Sequence, residues 1–210
     1  MNISLEKYLA DPCGTSSLPY WKYLVTVPPE NMLILHNIEF SANLLGEYVD
    51  EPYFRLSHDL RHIPDASLSD EFELFSASPA QFSEHISECY DDISMSESEV
   101  ETYLTHSVYS PELWIAVRER NGGRMVASGI GEFDTQVGEG VLEWIQVSPE
   151  YRGCGLGTFV VCELLRRMSK TANFVTVSGA VNNPSSPKKL YRKCGFAGGD
   201  IWHILRKKDN

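Results

Sequence analysis

The chain has 210 residues, 42% hydrophobic and 22% charged, with a formal net charge of −11. That is the balance of a soluble globular protein, long enough for one full domain with an extension. The negative sum argues against a nucleic-acid partner, and no stretch approaches the ~20 apolar residues of a membrane span.

In chain order, the opening "MNISLEKYLADPCG" carries Glu6 and Lys7 where a secretory signal needs an apolar run, so the expected compartment is the cytoplasm. Five scattered cysteines without a CxxC pair fit reduced thiols rather than a disulfide framework. Residues 1–70 lack a clear period and read as an extension of open role. Within them, Tyr23–Val27 and Met32–His36 read as short strands around the Pro28-Pro29 turn, and Ile63–Asp70 as a linker. From residue 71 to 210 the signals sharpen into a domain. Phe72–Phe75 reads as a strand; Ser78, Pro79 and Gln81 then open a helix with Phe82, Ile86 and Cys89 on one face. Ser96 and Glu99 open a second helix with Val100, Tyr103 and Leu104. Asn121-Gly122-Gly123 predicts a hairpin between Leu113–Glu119 and Arg124–Phe133. Further strands are expected at Val141–Val147, Phe174–Gly179 and Ile201–Leu205. Helices are expected after Gly155, with a Leu156, Val160, Leu164, Met168 stripe, and around Lys188–Lys193. The order predicts an α/β fold with a mostly antiparallel central sheet flanked by helices.

Charge is segregated along this chain. No Lys or Arg lies between His62 and Val117, where acids such as Glu84, Glu88, Asp91, Asp92, Glu97, Glu99 and Glu101 gather. From Arg152 onward bases prevail over Glu163, Asp200 and Asp209. The pattern suggests a cationic ligand at one end of the molecule and an anionic one at the other.

The stretch "YRGCGLGT" explains the anionic end. A glycine-rich strand-to-helix turn exposes backbone N–H groups at a helix N-terminus, where phosphate oxygens bind. It is not a P-loop, which needs Gly-Lys-Ser/Thr, and Thr158 stands where a dinucleotide fingerprint needs its third glycine. Arg152-x-x-Gly155-x-Gly157, preceded by "VSPEY", resembles the pyrophosphate loop of the GNAT superfamily of acyl-CoA-dependent N-acyltransferases. "LYRKCGF", Leu190–Phe196, resembles that family's late Leu-Tyr-x-x-x-Gly-Phe motif. The resemblance runs from about Phe72 to Leu205 and implies acetyl-CoA as acyl donor and no metal. It implies that Ile145, Gln146 and Val147 offer backbone groups to the pantetheine arm. It assigns the pyrophosphate to Arg152, Gly153, Cys154, Gly155, Leu156, Gly157 and Thr158, and the pantetheine end to Asn183. Tyr191 is implied as the acid near the sulfur and Glu143 as the base. Two departures stand out. Ser178 occupies the place where other families of this fold keep a glutamate, and the interval from Asn183 to Tyr191 is longer than usual, which makes Asn182 a second candidate.

Other constellations are weaker. Cys154 at a helix start has no histidine placed to activate it, and His58 and His62 have a helical metal-pair spacing but no third ligand. The expectation is an N-acetyltransferase acting on a primary amine, a polycationic one included, by direct attack in a ternary complex. The alternative is a non-catalytic acyl-CoA-binding or sensing protein. Monomer and homodimer both stay open.

Overall fold

The computed structural model describes residues 3–90 and 93–208. Its elements are α1 (Leu5–Ala10), α2 (Pro12–Thr15), α3 (Tyr20–Val25), β1 (Met32–His36), β2 (Tyr48–His58), β3 (Phe72–Phe75), α4 (Pro79–Cys89) and α5 (Glu97–Leu104). There follow β4 (Tyr109–Glu119), β5 (Met125–Asp134), β6 (Glu139–Val147), α6 (Leu156–Met168), β7 (Phe174–Ala180), α7 (Pro187–Lys193) and β8 (Ala197–Lys207). This is the expected mixed α/β architecture, with antiparallel strand pairs and flanking helices. The chain divides into two compact units, one of Asp59–Val175 with Lys193–Gly195, the other of the chain up to His58, Thr176–Arg192 and the chain from Phe196 onward. The chain up to His58 joins the C-terminal strand in the second of these units, because β1 and β2 both pair with β8.

In the first unit the strands run in the order β6, β5, β4, β3, each antiparallel to its neighbour. Ser78 and Ser96 close the capping boxes read from the sequence, so α4 and α5 start with their amides satisfied. Phe82 and Ile86 of α4 and Val100 of α5 pack with Ala116 and Ile130 of the sheet. On the other face lies α6. A Cβ at Gly129 would stand 2.6 Å from Val160 Cγ1, and one at Gly131 2.6 Å from Met168 Cε. Glycine lets α6 close onto β5, and Val160, Leu164 and Met168 of the predicted stripe are fully buried there.

In the second unit the order is β1, β8, β2, β7. The expected strand at Tyr23–Val27 is instead the end of α3. Its β-branched residues favour a strand locally, but in the helix Tyr20 packs its ring 6.3 Å from Tyr23 and 5.1 Å from Tyr8. β2 is not legible in the sequence, because Pro52 and Arg55 interrupt any apolar alternation. Arg55 is fully buried, donating to Tyr8 Oη (2.9 Å), Thr176 Oγ1 (3.3 Å) and Ser178 Oγ (3.2 Å). His58 ends β2 with its ring edge-on to Phe196, and His62 lies outside any helix, so the helical metal-pair spacing does not apply.

The glycine face gives a stability test. In an open strand Gly→Ala gains about 0.4–1 kcal/mol by restricting the unfolded chain, whereas overpacking costs about 1–3 kcal/mol. At Gly129 the new methyl meets Val160 and Leu164, so overpacking wins. Gly129→Ala is expected to lower the unfolding free energy by roughly 1–2 kcal/mol in denaturant titration.

Candidate active site

Strand β6 leaves the sheet at Val147, and the fully buried Ser148 starts a short 3-10 turn, Pro149–Tyr151. Gly153 and Gly155 follow with φ of +86° and +84°, in the left-handed region that favours glycine. A Cβ at either would meet nothing within 4 Å, so the backbone conformation, and not crowding, selects glycine here. Gly155 is the N-cap of α6, and among the described residues no side chain caps this helix, in contrast to α4 and α5. The amides of its first turn therefore lie beside open space, with the positive end of the helix dipole behind them.

The structure separates backbone from side-chain roles among the predicted donor-site residues. Leu156 is buried in the core, so its amide alone can face a ligand, while Arg152, Gly153, Cys154 and Gly155 are exposed and Gly157 and Thr158 half-buried. Ile145 points its Cδ1 at the Gly129 backbone, on the α6 face. The Val147 carbonyl accepts from Arg152 Nε at 3.2 Å, and Arg152 Nη2 donates to the Cys89 carbonyl at the end of α4, 3.1 Å away. Gln146 is buried. Its Nε2 donates to Ser128 Oγ, and its Oε1 has no hydrogen-bond partner among the described residues.

A bulge decides where Glu143 sits. Ile130 pairs with Trp144 but Gly131 pairs with Leu142, so Glu143 is the extra residue of β6 and the parity shared with Ile145 and Val147 is broken. Its charge acts on Tyr103 of α5, whose phenol is pushed up to about 12, first by burial and then by Glu143. Tyr103 Oη accepts from Trp144 Nε1 at 2.9 Å, and Trp144 meets Tyr90 edge-on.

In the second unit, Tyr191 of α7 is buried with its ring against Phe54 and Phe196. Asn183 Oδ1 accepts from the Ser185 amide and hydroxyl, so its side chain shapes the turn before α7 and has its Nδ2 left to donate. Lys188, Lys189 and Arg192 line a cleft of about 460 Å³ with Phe54, Val181 and Pro187.

The acidic helices are more compensated than the sequence suggests. Glu84 and Glu88 line a cleft of about 200 Å³ together with Arg124, which the β4–β5 turn brings to them. Glu99 closes its own capping box, and the Ser96 amide and hydroxyl hold its carboxyl below the usual range. Asp91 and Asp92 lie outside the described residues.

One constellation has only a faint sequence signal. His85, one helical turn after Phe82 in the buried stripe of α4, is fully buried, with Nδ1 2.9 Å from Ser128 Oγ and Nε2 3.0 Å from Ser148 Oγ. Burial pushes it down to about 4, the Val126 carbonyl opposes this and the Arg124 charge adds to it, so the ring is neutral at pH 7.

The sequence profile of the Acetyltransferase (GNAT) family matches residues 78–196, more than half of the chain. The chain belongs to this GNAT family. Solved structures agree on the fold. A GCN5-related N-acetyltransferase from Sphaerobacter thermophilus is 18% identical with a TM-score of 0.66, covering 89% of this chain and 63% of its own. A GNAT-family acetyltransferase from Colwellia psychrerythraea is 15% identical with a TM-score of 0.58, covering 83% of this chain and 64% of its own. A functionally unknown conserved protein from Staphylococcus epidermidis is 12% identical with a TM-score of 0.62, covering all of this chain and 83% of its own. The chain thus spans less than two thirds of the first two GNAT relatives. No curated protein matches the sequence. Among the described residues, no group of acidic, His or Cys side chains is arranged to hold a metal, and no helix is long and apolar enough to cross a membrane.

The neutral histidine predicts a pH dependence. With a folded value of about 4 against an ordinary 6.5, the unfolded chain binds the proton first. Stability from this group is fully present above pH 6.5 and is lost as pH falls toward 4, by at most about 3 kcal/mol. His85→Gln keeps hydrogen-bonding groups but does not titrate. Its unfolding free energy, followed in denaturant from pH 7 to 4, should fall less steeply than that of the unmodified protein.

Proposed function

We propose that this protein is an acetyl-CoA-dependent N-acetyltransferase that acetylates a primary amine by direct attack in a ternary complex. The observation that carries the reading is the uncapped N-terminus of α6 behind two left-handed glycines, within a GNAT domain. The residues present fit a diphosphate: the first-turn amides can donate, the helix dipole favours the negative charge, and no side chain of the described residues stands over Gly153 or Gly155. When bound, acetyl-CoA supplies a thioester-activated acetyl group. Everything else is the chain's task. The backbone of Ile145–Val147 holds the pantetheine arm as a strand would. An aliphatic amine has a pKa near about 10.4 and attacks only when neutral, so a proton acceptor is needed. Glu143, the extra residue of the β6 bulge, whose charge reaches Tyr103, is proposed for it, directly or through water. Tyr191 is proposed, by its motif position, to return a proton to the leaving sulfur.

The acceptor is proposed to be a cationic amine, a polyamine included, drawn by the field of Glu84, Glu88, Glu97, Glu99 and Glu101, which are all exposed on α4 and α5. The second reading, a non-catalytic acyl-CoA binder, is favoured by Ser178. At the position of the glutamate found elsewhere in the family, Arg55 donates to a serine hydroxyl.

A thiol-release assay with acetyl-CoA and a panel of amines separates the two readings, since the binder releases no CoA. In the same assay Tyr191→Phe should lower kcat about 100-fold with CoA affinity little changed. Gly155→Val, which sets a branched side chain at positive φ on the diphosphate path, should abolish CoA binding in calorimetry. Normal CoA binding by that variant would refute the phosphate-loop assignment.

For the acceptor, kcat/KM for a polyamine should exceed that for acidic amino acids. It should fall with salt as the Debye length shortens to about 10 Å at 0.1 M. A preference for acidic acceptors, or indifference to salt, would count against a cationic substrate.

A further inference from the structure

We propose that helix α4 braces the phosphate-binding loop, with His85 as a positioning residue for the diphosphate of the acyl donor; this rests on the donor-site reading above. The loop from Arg152 to Gly155 is exposed, and its glycines give it freedom that must be taken away before its amides can converge on one ligand. α4 touches the loop at two places. At its root, Ser148 donates its amide to the Val126 carbonyl and accepts the Tyr151 amide on its own carbonyl, and its hydroxyl meets His85 Nε2, with the Cys89 thiol as a second neighbour. Midway, Arg152 is held by the Cys89 carbonyl of α4 as well as by the Val147 carbonyl. His85 is tied in turn to β5 through Ser128, and its Nε2 also lies 3.6 Å from Cys89 Sγ. A neutral imidazole has one donor and one acceptor, and serine hydroxyls can complement either, so the link Ser128–His85–Ser148 is satisfied in both tautomers.

Geometry explains why such a brace matters for binding. The root of the loop lies in a buried polar layer between α4 and the sheet, and an apolar side chain there would leave the hydroxyls of Ser128 and Ser148 buried without their histidine partner. Ser148 would then shift toward other acceptors and carry the 3-10 turn and Arg152 with it. Small displacements of this kind weaken a site made of several convergent amides. A histidine that merely filled the core would give a different signature, a loss of stability with unchanged affinity.

The test compares the full chain with His85→Phe, His85→Gln, Ser148→Ala and the His85→Phe/Ser148→Ala double variant, using free CoA in calorimetry and acetyl-CoA in steady-state kinetics. His85→Phe and Ser148→Ala should each weaken CoA binding about 10-fold, and the double variant no further, since both remove one link. The KM for acetyl-CoA should rise by a similar factor with kcat within about 2-fold, and His85→Gln should restore affinity to within about 3-fold. The proposal is overturned if a cooperatively folding His85→Phe binds CoA like the unmodified protein, if the two losses add, or if kcat falls in place of the rise in KM. Should His85→Phe not fold, Ser148→Ala decides alone, and unchanged CoA affinity there overturns the proposal. An unmodified chain that binds no CoA overturns the donor-site reading itself, whereas an unmodified chain that binds while the variants match it removes the brace alone.

Discussion

Burial of α6 against the glycine-bearing face of β5 lets this helix begin without a side-chain cap. A missing N-cap costs a helix about 0.5–2 kcal/mol. Val160, Val161, Leu164, Leu165 and Met168 are all buried, and burying one such side chain is worth about 1.5–3 kcal/mol. The packing term exceeds the missing cap by a wide margin, so the first turn stays helical while its amides remain available. The glycines at 129 and 131 and those at 153 and 155 therefore belong to one design. The first pair lets the helix approach the sheet, and the second lets the chain enter the helix with its donors facing outward.

The polar groups divide along the same line. α4 and α5 spend Ser78, Gln81, Ser96 and Glu99 on their own amides, which they need because both present fewer fully buried residues than α6. Their remaining acids, Glu84, Glu88, Glu97 and Glu101, are exposed and set the local field. Arg124 reduces that field at Glu84 and Glu88 and also sits 3.5 Å from Glu150, so the negative character is strongest toward α5. A charge run read along the sequence overstates the field wherever the fold brings a distant cation to it.

Signals confined to a few neighbouring residues were legible in the sequence. The two capping boxes, the Asn121-Gly122-Gly123 turn and the glycine loop each depend on chemistry within a handful of positions, and each lies where expected. What depended on tertiary context was not legible. α3 is a helix whose Tyr20 ring meets those of Tyr8 and Tyr23, and β2 is a strand despite Pro52 and Arg55, paired with β8 along nearly its whole length. The bulge at Glu143 depends on the register between two strands, which no periodicity within β6 records. His85 shares the apolar stripe of α4, but its partners are serines 43 and 63 residues away.

The least expected of these elements bears on the chemistry. Arg55 is buried among Tyr8, Thr176 and Ser178, so a permanent cation lies beside the serine at the place where the resemblance leads one to expect a glutamate. A carboxylate at residue 178 would be paired with that guanidinium, and pairing holds a carboxyl in its ionised form with a lowered pKa. Such a group is a poor proton acceptor for an amine that titrates near about 10.4, because basicity is what the pairing removes. A serine there satisfies one arginine N–H without adding charge, and fixes α1 to the sheet through the same guanidinium. The base proposed for the amine is instead Glu143, the extra residue of the β6 bulge, whose charge is felt by the phenol of Tyr103.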